Sequence, residues 1–451
     1  MSPAASRAPR RNFSLSLLFE PADNSPLVLF RGIFGLLIAL EAGGAIATGW
    51  VRRVFVEPAF TFNFIGFDWL QPLVGETMYL LYAIMAVLGL MVMLGYHYRF
   101  AVISFGMLWT VSYLLQKSSY NNHYYLLILL CGLMAAVPAH RYWSLDVKQG
   151  RVIGSLTCPR WCLVIFRLQV GIVYFFAAVA KLYPGWLSSK PIATWFAAKA
   201  DYFLIGPWLQ KLWLPEVVAY GGVAFDALVV PLLLWKRTRL FAFTAGIAFH
   251  LFNSAVFHIG IFPYLMIGIC VFFFPPEQVR RWFFRQKPRA DSMASPTYAT
   301  QSWLVVLFAL YFAWQGYLPL RHHLYYGDVL WTEEGHRMAW RMMLRSRWGT
   351  VMFRVVDPAT GNGWNVEPAD HLTPKQVRKL AAHPDLIWQF SQWLEKEYQR
   401  QGYQDVEVYA TARASVNGSP LAPLTNPTVD LTQVEWTPFR HAEWVFPFPE
   451  K

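Results

Sequence analysis

The chain reads as an α-helical integral membrane protein with a small soluble α+β domain at its C-terminal end. Three features predict this class. Apolar residues make up 55% of the sequence and charged residues only 15%, against roughly 25% charged in soluble domains. The apolar residues gather in runs long enough to cross a bilayer, which takes about 20 residues. Behind the last run the pattern changes to short alternating stretches and one helical period. Aromatic residues reach 17%, which suits belts of Trp and Tyr at both membrane surfaces.

About nine transmembrane helices are expected, near residues 27–50, 76–95, 100–116, 121–139, 162–182, 216–235, 239–257, 258–275 and 301–319. The third is short, and the seventh and eighth nearly abut. The aromatic, Pro-broken stretch 183–215 reads as interfacial or re-entrant. Three regions follow: an N-terminal segment 1–26, a helical membrane domain 27–319, and a C-terminal domain 320–451. The N-terminal segment carries Arg7, Arg10 and Arg11 but no apolar core before a cleavage site, so no cleavable signal peptide is expected.

Loop charge sets the orientation. With a cytoplasmic N-terminus, one side collects Arg99, Arg141, Lys148, Arg151, Arg160, Lys236, Arg237, Arg280 and Arg281. The other side holds only Arg52, Arg53, Lys117, Lys190, Lys199 and Lys211. An odd number of spans then puts the C-terminal domain outside the cytoplasm.

Within that domain, 350–356 alternates as a strand, 357–361 reads as a turn, and 364–366 as the returning strand. Residues 373–401 have helical periodicity behind a Thr-Pro start. Residues 406–416 and 429–436 alternate again as strands.

The net charge of +12 is spread between apolar runs, where it orients a membrane protein; nucleic acid is not expected as a partner. Cys131 and Cys270 lie inside apolar runs and read as core. Cys158 and Cys162 stand four apart without a second Cys pair, and no His/Cys/carboxylate group has ligand spacing, so no metal is expected.

Ionisable residues inside spans are costly and each needs a reason. In the fifth span Arg167, Gly171, Tyr174, Ala178 and Lys181 fall at i, i+4, i+7, i+11 and i+14, one helix face with small residues between polar ones. Such a stripe can line a cavity for a ring-shaped ligand. Lys181 ends an apolar run. Held neutral by burial, a lysine is a general base; the alternative is a lysine snorkelling to the interface. Asn121, Asn122 and His123 open the fourth span, either as a helix cap or, for Asn122 and His123, as holders of a polar ligand group. His250, Asn253 and Ser254 lie one helical turn apart in the seventh span, where a structural histidine is the plain alternative to a site. Glu41 and Asp226 are expected to be neutralised by Arg31 or Arg167. With the N-terminus inside, Lys181, His123 and the His250–Asn253 group all fall at one membrane face, the face that carries the C-terminal domain.

Several segments resemble the vitamin K-dependent gamma-carboxylase family. Lys117-Ser-Ser-Tyr-Asn-Asn-His-Tyr-Tyr-Leu126 is similar to that family's KSSYNNH segment, and His140-Arg-Tyr-Trp-Ser-Leu-Asp146 to the turn that follows it. Val173 to Lys181, with Leu182 and Trp186, resembles the helix carrying the family's catalytic lysine. Phe249-His-Leu-Phe-Asn-Ser254 through Ile259-Gly-Ile-Phe-Pro-Tyr264 matches a further pattern. Trp331-Thr-Glu333, Trp340-Arg-Met-Met343 and Trp436-Thr-Pro-Phe439 look similar in the tail. The likeness runs from about residue 27 to 447.

The resemblance implies an HTTM-type membrane domain and an enzyme that oxidises reduced vitamin K with O2 to the epoxide. The base so formed removes a γ-proton from a protein glutamate, which then takes up CO2. Lys181 matches the lysine that deprotonates the hydroquinone, with His123 beside it in the catalytic role. Asn122, Tyr174, His250 and Asn253 match the quinone-binding region. The implied partners are a glutamate-containing protein or peptide and the lipid bilayer; no metal is implied. Animal members carry two adjacent lysines where this chain has Ala180-Lys181, and they are longer at the C-terminus, which implies a short bacterial homologue in an inner membrane with a periplasmic tail; the alternative is the endoplasmic reticulum with a lumenal tail. The alternatives are quinone epoxidation without protein carboxylation, and, from another class, a non-catalytic membrane binding or transport protein. Against transport, the chain has no inverted repeat.

Overall fold

The computed structural model describes residues 15–289, 298–437 and 439–449. Arg7, Arg10 and Arg11 of the basic N-terminus lie outside the described residues. The membrane domain is built from helices α1 (Ser25–Ala47), α2 (Thr77–Leu94), α3 (Tyr98–Leu115), α4 (Asn122–Ala136), α5 (Trp161–Ala180), α6 (Leu214–Leu234), α7 (Arg239–Phe257), α8 (Phe262–Ile269), α9 (Pro276–Phe283) and α10 (Ser302–Leu320). Seven of these are long and apolar enough to cross a membrane, and eight if the bent pair 262–283 counts as one span. The bend is 118° and falls at Pro275-Pro276, where the missing N–H groups and ring clashes end a helix.

The expected fourth span is α4, of 15 residues. At 1.5 Å per residue it covers about 22 Å, short of the roughly 30 Å hydrocarbon core. Its ends are chemical: the Asn121 side chain accepts from Tyr124 N at 2.8 Å, and Pro138 follows its last turn. The stretch 183–215 holds three short helices, Pro184–Leu187, Lys190–Ala197 and Gly206–Leu209, each with Pro in its first turn.

Helices α1 and α2 approach backbone to backbone. A Cβ at Gly89 would lie 2.6 Å from Ala39 N, and one at Gly35 only 2.2 Å from Met93 N. Arg31 and Arg167 do not neutralise Glu41 or Asp226 as expected. Arg31 donates to the carbonyls of Ala139, Tyr142 and Trp143, and Arg167 to that of Phe272 at 2.5 Å. Both guanidiniums satisfy carbonyls released where helices end, a need that charge pairing across the sequence does not reveal.

The C-terminal domain is a four-stranded antiparallel sheet with helices on one face. Strand β1 (Pro21–Asp23) and strand β2 (Thr157–Pro159) pair separately in the membrane domain; β3 (Arg347–Val356), β4 (Gly363–Val366), β5 (Glu407–Val416) and β6 (Ala422–Pro423) form the sheet in the order β4-β3-β5-β6. Phe353 faces Ala410 and Val351 faces Ala412 across β3 and β5. The alternation buries Phe353, Val355, Val408, Ala410, Ala412 and Ala414 against Leu386, Ile387, Phe390 and Leu394. The helical stretch 373–401 is two helices, α11 (Pro374–Leu380) and α12 (Pro384–Arg400). His383 is forced into extended backbone, φ −131° and ψ 106°, by the proline that follows it.

Residues 429–436 are not a strand. Asp430 accepts from Val408 N and from Thr432, while Trp388 and Gln392 donate to the carbonyls of Val434 and Leu431. Side chains thus satisfy backbone groups that a ladder would otherwise take.

This domain is keyed onto the helices by polar contacts. Gln376 Nε2 donates to Phe60 O at 2.6 Å, Gln389 Nε2 to Asn63 O at 2.9 Å and Asn417 Nδ2 to Tyr183 Oη at 3.2 Å. Met338 N donates to Tyr120 Oη at 2.6 Å. The buried ion pair Lys117–Asp385, at 2.6 Å, crosses the same boundary.

Candidate active site

Lys181 caps the C-terminal end of α5, where the helix runs out beneath the C-terminal domain. Its side chain is only 10% exposed and forms an ion pair with Asp226 of α6, itself 5% exposed. The lysine turns inward rather than along the surface. Nζ also reaches Ala177 O at 3.4 Å and lies 5.4 Å from the centre of the Trp186 ring. Asp226 is therefore the partner of Lys181, not of an arginine.

Lys181 opens into a cavity of about 100 Å³ that is also lined by His123, Tyr174, His250 and Asn253, with walls from Val173, Phe249 and Phe262. Tyr174 Oη and His250 Nε2 are 2.7 Å apart. The His123 ring stacks on Phe262 with centroids 3.9 Å apart. Nδ1 of His123 and Nδ1 of His250 are both buried without a hydrogen-bond partner, so each has bonding capacity left for a ligand. The expected stripe on α5 is divided: Tyr174 and Lys181 line the cavity, whereas Arg167 is committed to Phe272 O and Gly171 packs near Val230.

Asn122 lies outside this cavity. Its Oδ1 accepts from Tyr120 Oη at 2.8 Å, and its Nδ2 donates to Arg341 O at 3.2 Å. It lines a second cavity of about 280 Å³ together with His123, Lys117, Arg341, Arg345 and Lys379. A third cavity, about 720 Å³, lies between α1, α4 and α8 and is bordered by Leu40, Glu41, Leu127 and Leu265. His123 and Met343 line all three. They form the junction between a lysine-bearing apolar cavity, a cationic cavity under the C-terminal domain, and a larger one among the helices.

The segment that roofs this junction is unusual in its backbone. Glu333, Met338, Trp340 and Met343 all have left-handed φ, between 47° and 64°. Side-chain-bearing residues adopt that region at a cost of about 1–3 kcal/mol each, and sites with such strain cluster where function requires a fixed geometry.

Two carboxylates organise the charges beside the second cavity. Asp385 takes Arg337 at 2.6 Å and 3.3 Å, in addition to Lys117. Glu333 takes Arg345 through both oxygens, with Nε at 2.6 Å, and Arg347 Nη1 at 3.0 Å. Burial alone would raise both carboxyls, but the arginines and Lys117 outweigh it and hold them well below the usual carboxylate range. Burial pushes His336 down to about 3 and Lys117 to about 8. Burial holds His336 and His383 toward the neutral form, so the positive charge lining this cavity comes from its Arg and Lys side chains.

Sequence reasoning missed the Asp226 partnership, because helices α5 and α6 are joined by a long irregular connection. It also passed over Arg337, Arg341, Arg345 and Arg347. Their signal was density, four arginines in eleven residues, with Arg337, Arg341 and Arg345 four apart as on one helix face, although the segment is not helical. Among the described residues no group of three His, Cys, Asp or Glu side chains is arranged to hold a metal ion.

Residues 19–278 match the HTTM domain model, and residues 300–451 match the vitamin K-dependent gamma-carboxylase lumenal domain model. No solved structure matches the chain. The two matches meet where the cavities lie, Lys181 and His123 in the first and Arg341 and Lys379 in the second, and together they cover most of the sequence: the chain belongs to the vitamin K-dependent gamma-carboxylase family.

Proposed function

We propose that this protein oxidises reduced vitamin K with O2 to the epoxide and uses the base so formed to carboxylate a peptide glutamate with CO2. The observation that carries the reading is the inward-facing Lys181 in an apolar cavity directly beneath the C-terminal domain. That cavity suits the ring of a hydroquinone. Its walls are aromatic and aliphatic, and the two unpartnered imidazole nitrogens offer polar contacts for the ring oxygens.

Each residue then has a defined task. The reactive form has Lys181 as the free amine beside the Asp226 carboxylate; Nζ then takes the hydroquinone proton, and the ammonium that results is met by Asp226 in the ion pair described above. Tyr174 occupies Nε2 of His250 and so directs Nδ1 toward the ligand. His123, held flat on Phe262, fixes the opposite side of the ring. The adjoining large cavity takes the isoprenoid tail, whose apolar surface matches Leu40, Leu127 and Leu265. When bound, the reduced quinone supplies, with O2, the strong base of the reaction. The apolar walls exclude water that would quench it. Asn122 acts on the side of the C-terminal domain by holding Arg341 O. The C-terminal domain faces away from the cytoplasm, consistent with the charge bias of the loops, and the glutamate arrives from that side.

The test is a single reaction in detergent with reduced vitamin K, O2, labelled bicarbonate and a glutamate-containing peptide. Epoxide and fixed label are measured together for the wild type and Lys181→Ala. Both products from the wild type and neither from the folded variant are expected. Epoxide without label would support the narrower epoxidase. Normal epoxide from Lys181→Ala would overturn the assignment of the base.

A further inference from the structure

Glu41 is a carboxyl of the membrane domain that the reading above leaves without a task. It lies in α1, roughly 9 Å inside the C-terminal end of that helix at 1.5 Å per residue. Its carboxyl meets the Tyr124 hydroxyl and the Ile261 N–H, and Tyr82 is the next titratable group to feel it. None of these is a cation. A carboxyl in a span with neutral partners is costly, and such groups mark ion or proton paths. Glu41 borders the large cavity of about 720 Å³, which has two sides. Leu40, Leu127 and Leu265 form the apolar one, while Glu41, Thr48, Asn121, Tyr124 and His258 form the polar one. Glu41, Gly44, Ala45 and Thr48 have the spacing of one helix face and all line it. Thr48 is the exposed cap at the end of α1, so the polar side runs from Glu41 to the membrane surface. Gly260, in left-handed backbone at φ 61°, passes the acid without a side chain; a Cβ there would lie 3.4 Å from Glu41 Oε2.

We propose that Glu41 is the proton exit of the reaction, the group that takes up, by way of His123, the proton that Lys181 must shed in each turnover. The proposal rests on the functional reading above and deepens it. The balance of the reaction leaves that proton behind. Lys181 takes the first hydroquinone proton. The second hydroquinone hydrogen and the γ-hydrogen of the glutamate leave as one water with one oxygen of O2, and the other oxygen stays in the epoxide. O2 takes the electrons that the hydroquinone gives up, and the electron pair of the γ-C–H bond becomes the new C–C bond to CO2. One proton remains, on Lys181 Nζ, enclosed against Asp226. Until it leaves, the amine cannot act as a base again. The way out is the junction of the two cavities, where His123, Ile259, Phe262 and Met343 line both. His123 is the titratable member, and its Nδ1 has no partner, so the imidazole can accept a proton at one nitrogen and release one from the other. Among the described residues Asp226 and Glu41 are the carboxylates that border these two cavities, and Asp226 already holds the lysine. Beyond His123 the polar wall of Asn121 and Tyr124 offers bridging waters the hydrogen-bond partners they need, with Glu41 as the acceptor.

The experiment compares single and repeated turnovers of the full chain in detergent. With one equivalent of reduced vitamin K, Glu41→Gln should form epoxide as the wild type does. With excess it should slow by about a hundredfold, the scale of a lost proton-transfer group, and formate should restore part of the repeated turnover in Glu41→Ala. Infrared spectroscopy without quinone gives a readout independent of activity. The wild-type minus Glu41→Gln difference spectrum should hold one carboxyl signal that converts from acid to carboxylate as pH rises and that shifts in D2O. Lys181→Ala should keep that signal. A signal that neither titrates nor shifts overturns the exit. Loss of the first turnover in Glu41→Gln marks a structural role and also overturns it. Absence of epoxide from the wild type overturns the functional reading and the exit together. That outcome is distinct from wild type and Glu41→Gln turning over alike, which overturns the exit alone.

Discussion

Asp226→Asn is the most informative single change in the membrane domain. Both side chains of the Lys181–Asp226 pair are largely enclosed, 10% and 5% exposed. Removing one partner of a buried pair typically costs about 3–5 kcal/mol, because the remaining charge loses its counter-ion. Here that charge is the ammonium of Lys181, with Ala177 O and the Trp186 face as its other contacts. Those are neutral and cannot replace a carboxylate. Two measurements follow. Thermal unfolding in detergent should fall for Asp226→Asn and recover partly in Lys181→Met/Asp226→Leu, where both charges are gone. Epoxide formation should fall by about a hundredfold or more in Asp226→Asn, the usual scale for disabling a positioned general base, and should stay lost in the double variant despite its recovered stability. An Asp226→Asn protein that unfolds at the wild-type temperature and makes epoxide at the wild-type rate would refute the coupling of acid to lysine.

The boundary between domains carries further expectations. Asp385→Asn leaves Lys117 and Arg337 facing each other across an amide; limited proteolysis should release the C-terminal domain from the variant at protease levels the wild type withstands. Asp385 and Glu333 have folded pKa values below those of the unfolded chain. Their contribution is therefore complete above the unfolded carboxyl range, near pH 4, and is lost as pH falls below it. A pH series of unfolding temperatures should show that acid-side loss in the wild type and a shallower one in Asp385→Asn. Gly89→Val forces a Cβ to within 2.6 Å of Ala39 N; α1 and α2 must separate, and the yield of folded protein should drop by more than for Gly132→Val, where the space is open.

The parts of this molecule that are readable in the sequence are those set by local chemistry. Long apolar runs define their own helices, since a backbone in lipid must bond internally, and the spans of α7 and α10 agree with the apolar pattern to within a residue. The alternation in 350–356 and 406–416 likewise specifies paired strands. What fails is any inference that needs to know which distant group meets a given polar atom. Residues 429–436 alternate like a strand, yet Asp430, Trp388 and Gln392 take over their backbone bonding. Arg31 looked like an ion-pair partner and instead collects three carbonyls at the turn after α4. The same distinction divides the site. Lys181, Tyr174, His123, His250 and Asn253 were visible because a polar residue in an apolar run needs a reason, and they do line one cavity. Asn122 sits one position from His123 but serves the neighbouring cavity, since successive helical residues point about 100° apart. Asp226 was visible as a buried acid but not as the lysine's partner, which depends on how α5 and α6 cross.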